Sequence, residues 1–184
     1  WSAFFFIAQL TRVAPRFAIA AGLGIQGIGG LWMAQFDVNV PDTSIFWSHY
    51  LMGLGQSVAF TPMAVMAFAT LPKHKITEGS AVFTMMRNFG SSLFISLSVL
   101  VLVRSTSINY ARMTEFVTPF RDVFLYPSLP TGWNFETLSG LAQVSREVHR
   151  QAAMIGYINA FHLMAVAGIL SMPLAFMLKR PPGR

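Results

Sequence analysis

Five polar side chains stand within or at the ends of stretches that are otherwise apolar: Gln56, Arg87, Asn88, Asn159 and His162. A polar group surrounded by hydrocarbon is costly unless it is paired or hydrated, so each is a candidate for work on a substrate path or at a gate. Arg87 can snorkel its guanidinium to a headgroup layer or bond carbonyls of a neighbouring helix, which leaves anchoring and gating both open. Asn159 and His162 lie three apart with Gly156 a turn earlier, and so share a helical face. They can bond across a bundle or meet water in a cavity. Histidine as a residue type titrates near neutral pH, so a proton relay stands beside the structural reading. Gln26 is of the same kind as Gln56, whereas His49 and His74 fall near helix ends where solvent reaches them. No His, Glu and Cys set has metal-ligand spacing, and no nucleophile elbow or phosphate loop is present. The glycine-rich run Gly22 to Gly30 lies inside an apolar stretch. The residues therefore point to no catalysis, no cofactor and no metal.

Membrane helices must position these side chains. The chain is 54% hydrophobic and 11% charged, too apolar for a soluble domain of 184 residues. Crossing a hydrocarbon core of about 30 Å takes roughly 20 helical residues. Phe17 to Phe36, Ser44 to Leu71, Asn88 to Val103 and Ala152 to Leu178 meet or approach that length without a charge. The expected fold is all-α, a polytopic membrane helix bundle with membrane helices over 15–36, 44–71, 81–103 and 152–178. Residues 1–11 read as the last turns of a helix that begins upstream. Trp1 sits in an apolar run with no initiator Met, basic leader or cleavage site, which predicts a fragment with no targeting segment to remove. Small residues let helices approach where lipid supplies no hydrophobic drive. Ala18, Gly22 and Gly29 share one face, and Gly53, Gly55, Pro62 and Gly90 are the other residues expected to serve helix packing. The absence of cysteine excludes disulfides and thiolate metal sites.

Charge placement sets an expected orientation. If the spans alternate, one side receives Arg12, Arg16, Lys73, Lys75, Arg87, Lys179, Arg180 and Arg184 against Glu78 alone. The positive-inside rule places that side, with the loop 72–80 and the tail 179–184, in the cytoplasm of a cell inner membrane. The opposite side carries Asp37 and Asp42 and then the long connection 104–151, where arginines and acids balance. A pI near 10.3 thus reflects clusters that meet anionic headgroups, and it excludes nucleic acid as a partner in favour of membrane lipid. Within 104–151, Ser107 to Phe116 continues the preceding span outward until Pro119. Glu136 to Gln151 has the pattern of an amphipathic helix, with Leu138, Leu141, Ala142, Ser145 and Val148 on one face. That helix reads either as a cap on the bundle or as a docking surface.

Several stretches carry a resemblance. Leu71-Pro72, Glu78-Gly79-Ser80-Ala81 and Met86-Arg87-Asn88-Phe89-Gly90-Ser91-Ser92 resemble the cytoplasmic turn and following helix of the EmrB/QacA drug:proton antiporters of the major facilitator superfamily. Gly53-Leu54-Gly55-Gln56 with Pro62 resembles that family's preceding glycine-rich helix. Ala111 through Phe120 resembles the outer loop of the EmrB branch, and Gln151-Ala152 through Pro173 to Pro182 resembles its last helix and tail. The order and spacing of these motifs cover nearly the whole chain. The resemblance implies the last five helices of a transporter with about fourteen, part of its C-terminal half. It implies export of hydrophobic toxic compounds driven by protons through alternating access and, in Gram-negative cells, a periplasmic adaptor and an outer-membrane channel. Two positions depart from the family: Asn159 stands where relatives often carry an acid, and Ser91-Ser92-Leu93-Phe94 replaces small glycine-rich steps. A scaffold or sensor reusing the fold, or an exporter of one metabolite or siderophore, remains an alternative because fold alone does not fix activity.

Overall fold

The computed structural model describes residues 15–69, 71–118, 133 and 135–177. The expected helix end at 1–11 and the tail 179–184 lie outside them. The described chain forms α1 (Pro15–Met33), α2 (Asp42–Phe68), a short 3-10 turn (Lys73–Lys75), α3 (Ile76–Phe116) and α4 (Leu138–Met177), with no strand among the described residues. Three helical segments are long and apolar enough to cross a membrane: α2, Lys73 through Phe116, and α4. The protein is an all-α, multi-pass membrane bundle. The helix α1, with 19 residues, is the shortest of the four and carries five glycines, Gln26 and Arg16.

Helix α1 lies between α2 and α4, and α4 in turn lies between α1 and α3. Neighbours run antiparallel: Gly22 meets Gly55 and Ala59 while Gly29 meets Met52, and Gly24 meets Met172 while Gly30 meets Ala165. Helices α2 and α3 touch little except near the turn that joins them, where the Phe83 ring sits 6.5 Å from Phe60 and 5.4 Å from Phe68. Large apolar side chains along α3, among them Met85, Phe89, Leu93, Ile95 and Leu100, remain exposed.

The two last helices are much longer than a membrane is thick. At 41 and 40 residues each spans about 60 Å, roughly twice the hydrocarbon core. The sequence reading separates the amphipathic stretch before Gln151 from the last span at Ala152. In the structure they are one continuous helix, because no Gly or Pro interrupts Leu141 to Ile155. The same holds for α3, which carries no Gly or Pro between Ser91 and Phe116.

Candidate functional site

The polar residues singled out from the sequence fall at three helix contacts. At the first, Gln26 donates its Nε2 hydrogen to Gln56 Oε1 across α1 and α2. Two glycines allow that approach. A Cβ added to Gly22 would lie 2.5 Å from the Ala59 nitrogen and 2.6 Å from the Gly55 carbonyl oxygen, and one on Gly55 would lie 2.8 Å from the Gly22 oxygen. The backbones themselves approach closely here, and this lets the exposed amide pair reach across the two helices. One turn further down α2, Pro62 is fully buried and supplies no N–H to the Val58 carbonyl. The hydroxyls of Ser57 and Thr61 bond back to the carbonyls of Gly53 and Ser57 at 2.9 and 3.3 Å.

The second contact joins α3 and α4. Asn159 Nδ2 donates to Ser105 Oγ at 2.6 Å. Asn109 Nδ2 donates to the Ser105 carbonyl at 2.8 Å and to its hydroxyl at 3.3 Å. Gly156 lies against this point: a Cβ there would be 2.4 Å from Thr106 Oγ1 and 2.8 Å from the Leu102 carbonyl oxygen. His162 is not bonded to Asn159; its Nδ1 sits 2.9 Å from the Ile158 carbonyl of its own helix. An Nδ1–H donor there leaves Nε2 as the free ring nitrogen.

Arg87 occupies the third contact, about three turns into α3. Its guanidinium carbon lies 5.5 Å from the centroid of the Phe60 ring on α2, within cation–π range. Asn88 makes no side-chain hydrogen bond among the described residues, and its carbonyl accepts the Ser91 hydroxyl at 2.9 Å. The structure therefore brings Gln56 to Gln26 and Asn159 to Ser105, and it leaves Arg87 and His162 apart from both pairs. Of the residues expected to pack helices, Gly22, Gly29 and Gly55 have close neighbours on a facing helix, whereas a Cβ on Gly53 or Gly90 would meet nothing within 4 Å among the described residues.

Sequence reasoning did not reach Ser105, Asn109 or Phe60. The helical continuation read over Ser107 to Phe116 contains Asn109, and the spacing of four between Ser105 and Asn109 was a signal that the two share a face. A second small-residue face of α1 was also missed. There Gly27 meets Ile169, and a Cβ on Gly30 would come within 3.2 Å of Ala165 backbone atoms.

Beyond Asn159, polar contacts continue along the same helix pair. Tyr110 Oη and Ser145 Oγ are 2.9 Å apart, and the Tyr110 and His149 rings meet edge-on at 5.8 Å. Arg150 grips both Glu147 oxygens at 2.8 Å, and Gln151 adds a third bond at 2.8 Å. Hydrogen bonds from Arg150 first, then Gln151, hold the Glu147 carboxyl below its ordinary pKa.

Comparison with known proteins gives a consistent direction. The chain is 26% identical over 147 residues to the probable multidrug resistance protein EmrY of Escherichia coli K12, covering 79% of this chain and 29% of that protein. It is 20% identical over 190 aligned positions to the colistin resistance protein EmrB of Acinetobacter baumannii, covering 96% of this chain and 36% of that protein. The likeness is to EmrB-like efflux transporters. At this identity it singles out no one member, and the chain spans about a third of the length of these relatives. No family model and no solved structure matches the chain.

Proposed function

We propose that the chain is the C-terminal part of a proton-coupled multidrug efflux transporter of the major facilitator type, exporting hydrophobic toxic compounds by alternating access. The observation that carries this is the likeness to two resistance transporters over 79% and 96% of the chain. The packing is compatible with it. Because α1 is in backbone contact with α2 on one face and with α4 on the other, these three helices form a stiff unit of the kind that rocks as a body around a central site. In this reading the end bearing Lys73 and Lys75 and the C-terminus face the cytoplasm. Arg87, held on Phe60 where α2 turns into α3, is the gating residue, and Asn88, Gln56, Asn159 and His162 lie along the substrate path. In a Gram-negative host a periplasmic adaptor and an outer-membrane channel would complete the export route.

The test is expression of the full-length protein in a pump-deficient host, with efflux of hydrophobic dyes and drugs measured with and without a protonophore. Resistance to several unrelated hydrophobic compounds, abolished by the protonophore, is the expected result. Arg87→Ala is expected to lose efflux at unchanged membrane abundance. Unchanged susceptibility on expression of the intact protein would favour a scaffold or sensor, and wild-type efflux by Arg87→Ala would remove Arg87 from the gate.

A further inference from the structure

Large amphipathic aromatics stand exposed on three helices, at the adjoining ends of α1 and α2 and midway along α4. Trp32 at the end of α1 is 40% exposed, Trp47 and Tyr50 near the start of α2 are 51% and 52% exposed, and Tyr157 on α4 is 49% exposed. Phe46, Trp47 and Tyr50 form one cluster, with Trp47 edge-on to both neighbours at 5.6 and 5.7 Å. Helix contacts relate their levels. Gly29 meets Met52 and Gly30 meets Ala165, so Trp32 stands level with Ser48 to Tyr50 on α2 and with His162 to Leu163 on α4. Tyr157 lies about 8 Å further along.

All four helices change character near that level. On the side toward Lys73 and Lys75, no charge interrupts Phe17 to Leu31, Leu51 to Phe68 or Leu163 to Met177, lengths of about 21 to 27 Å that approach a hydrocarbon core. On the other side, α4 presents His162, Asn159, Gln151, Arg150 and Glu147, and α3, registered by the Ser105–Asn159 bond, presents Arg104 and Asn109. Tyr and Trp carry an apolar body and a polar tip, which suits them to the boundary between acyl chains and headgroups.

We propose that Trp32, Trp47, Tyr50 and Tyr157 form an interfacial girdle that binds the headgroup and glycerol layer of a phospholipid leaflet. The bilayer then ends between Tyr157 and His162 on α4 and near Ser105 on α3. Beyond it, α3 to Phe116 and α4 from Leu138 stand in water as a paired helical projection, held by Tyr110–Ser145 and Tyr110–His149. This moves the membrane edge on α4 more than a turn inward from Ala152, where apolar length alone puts it. The inference rests on the multi-pass bundle and not on efflux.

Nitroxide labels on the full-length protein in phosphatidylcholine–phosphatidylglycerol vesicles test it, in a background with any other cysteine removed. Leu141→Cys, Val166→Cys and Leu170→Cys sample one exposed face of α4, Tyr157→Cys samples the opposite face, and Phe46→Cys samples α2. The ratio of oxygen to nickel-chelate accessibility is expected to favour nickel at 141 and oxygen at 166 and 170, reversing within a turn of 157. Position 46 should read about 4 Å deeper than 157. Oxygen preference already at 141, or reversal between 166 and 170, would overturn the assignment. Exclusion of both reagents at 157, 166 and 170 would also overturn it, since protein rather than lipid would then cover both faces of α4. Positions 141, 166 and 170 bracket the boundary without replacing an aromatic, so the test survives if Tyr157→Cys fails to reconstitute. Depth is read without transport, so loss of the efflux reading leaves this result intact.

Discussion

Gly22→Ala puts the α1–α2 contact under direct strain. The new Cβ would meet the Ala59 nitrogen at 2.5 Å, the Gly55 oxygen at 2.6 Å and the Ala59 Cβ at 2.8 Å. Two of these atoms are main chain and none can rotate away, so the helices must separate by about 1 Å to restore ordinary contact, and a gap of that size forfeits a quarter to a half of each local dispersion well. Overpacking of this kind costs about 1–3 kcal/mol. The separation also stretches the Gln26–Gln56 bond, and interhelical hydrogen bonds in membranes average about 0.6 kcal/mol. Alanine's better helix propensity returns up to about 1 kcal/mol, leaving a net loss on the order of 1–3 kcal/mol. Gly53→Ala makes the matched comparison, because its Cβ would meet nothing within 4 Å among the described residues. The assay is reversible unfolding of the full-length protein in mixed micelles by SDS titration. Gly22→Ala should unfold at a lower SDS fraction than wild type, and Gly53→Ala at the same or a higher one. A Gly22→Ala protein that unfolds together with wild type would refute the claim that main-chain contact sets the α1–α2 distance.

Gly156→Ala should destabilise by a similar 1–3 kcal/mol in the same titration, and adding Thr106→Ala should restore only part, because the Leu102 carbonyl stays in the way. Gln56→Leu leaves the Gln26 amide without its partner, so a double-mutant cycle with Gln26→Leu should return a coupling of about 0.6 kcal/mol and at most about 1.7; zero coupling would mean that the pair is not bonded in the membrane. Phe60→Leu should weaken the seat of Arg87 by about 0.5–1 kcal/mol, seen as a downward shift of the SDS midpoint that vanishes in an Arg87→Ala background. Glu147 is a carboxyl whose folded pKa lies below its ordinary value of 4.5. Its contribution is therefore complete above that value and disappears as pH falls through the depressed one. The pair is partly exposed, with Arg150 at 54%, so the effect should be small and should shrink in high salt. A Glu147→Gln protein whose melting temperature tracks pH below 4.5 as steeply as wild type would contradict it.

Much of this was legible before any coordinates. The apolar length of α2 and α4 far exceeds what a soluble helix needs, and Gln56 and Asn159 stand out because hydrocarbon penalises unpaired amides. What each amide bonds was not legible. Gln26 and Gln56 are 30 residues apart, and Ser105 and Asn159 are 54 apart, so only folding brings them together. Boundaries were read less well, since hydropathy marks where lipid suits a chain and not where a helix stops. The run of α3 on to Phe116 was legible, whereas the joining of the stretch before Gln151 to the span from Ala152 was not, although the polar residues there are good helix formers with no Gly or Pro among them.

Apolar length marked this protein as a set of membrane-crossing helices before any fold was known, because length and burial cost are properties of a segment alone. Tertiary structure decided the neighbours. It placed α1 in the middle through small residues on two faces, Gly22, Gly29 and their partners toward α2 and Gly27 and Gly30 toward α4. Those contacts depend on how closely backbones can approach, a distance that comes into being only when one helix has another to lie against.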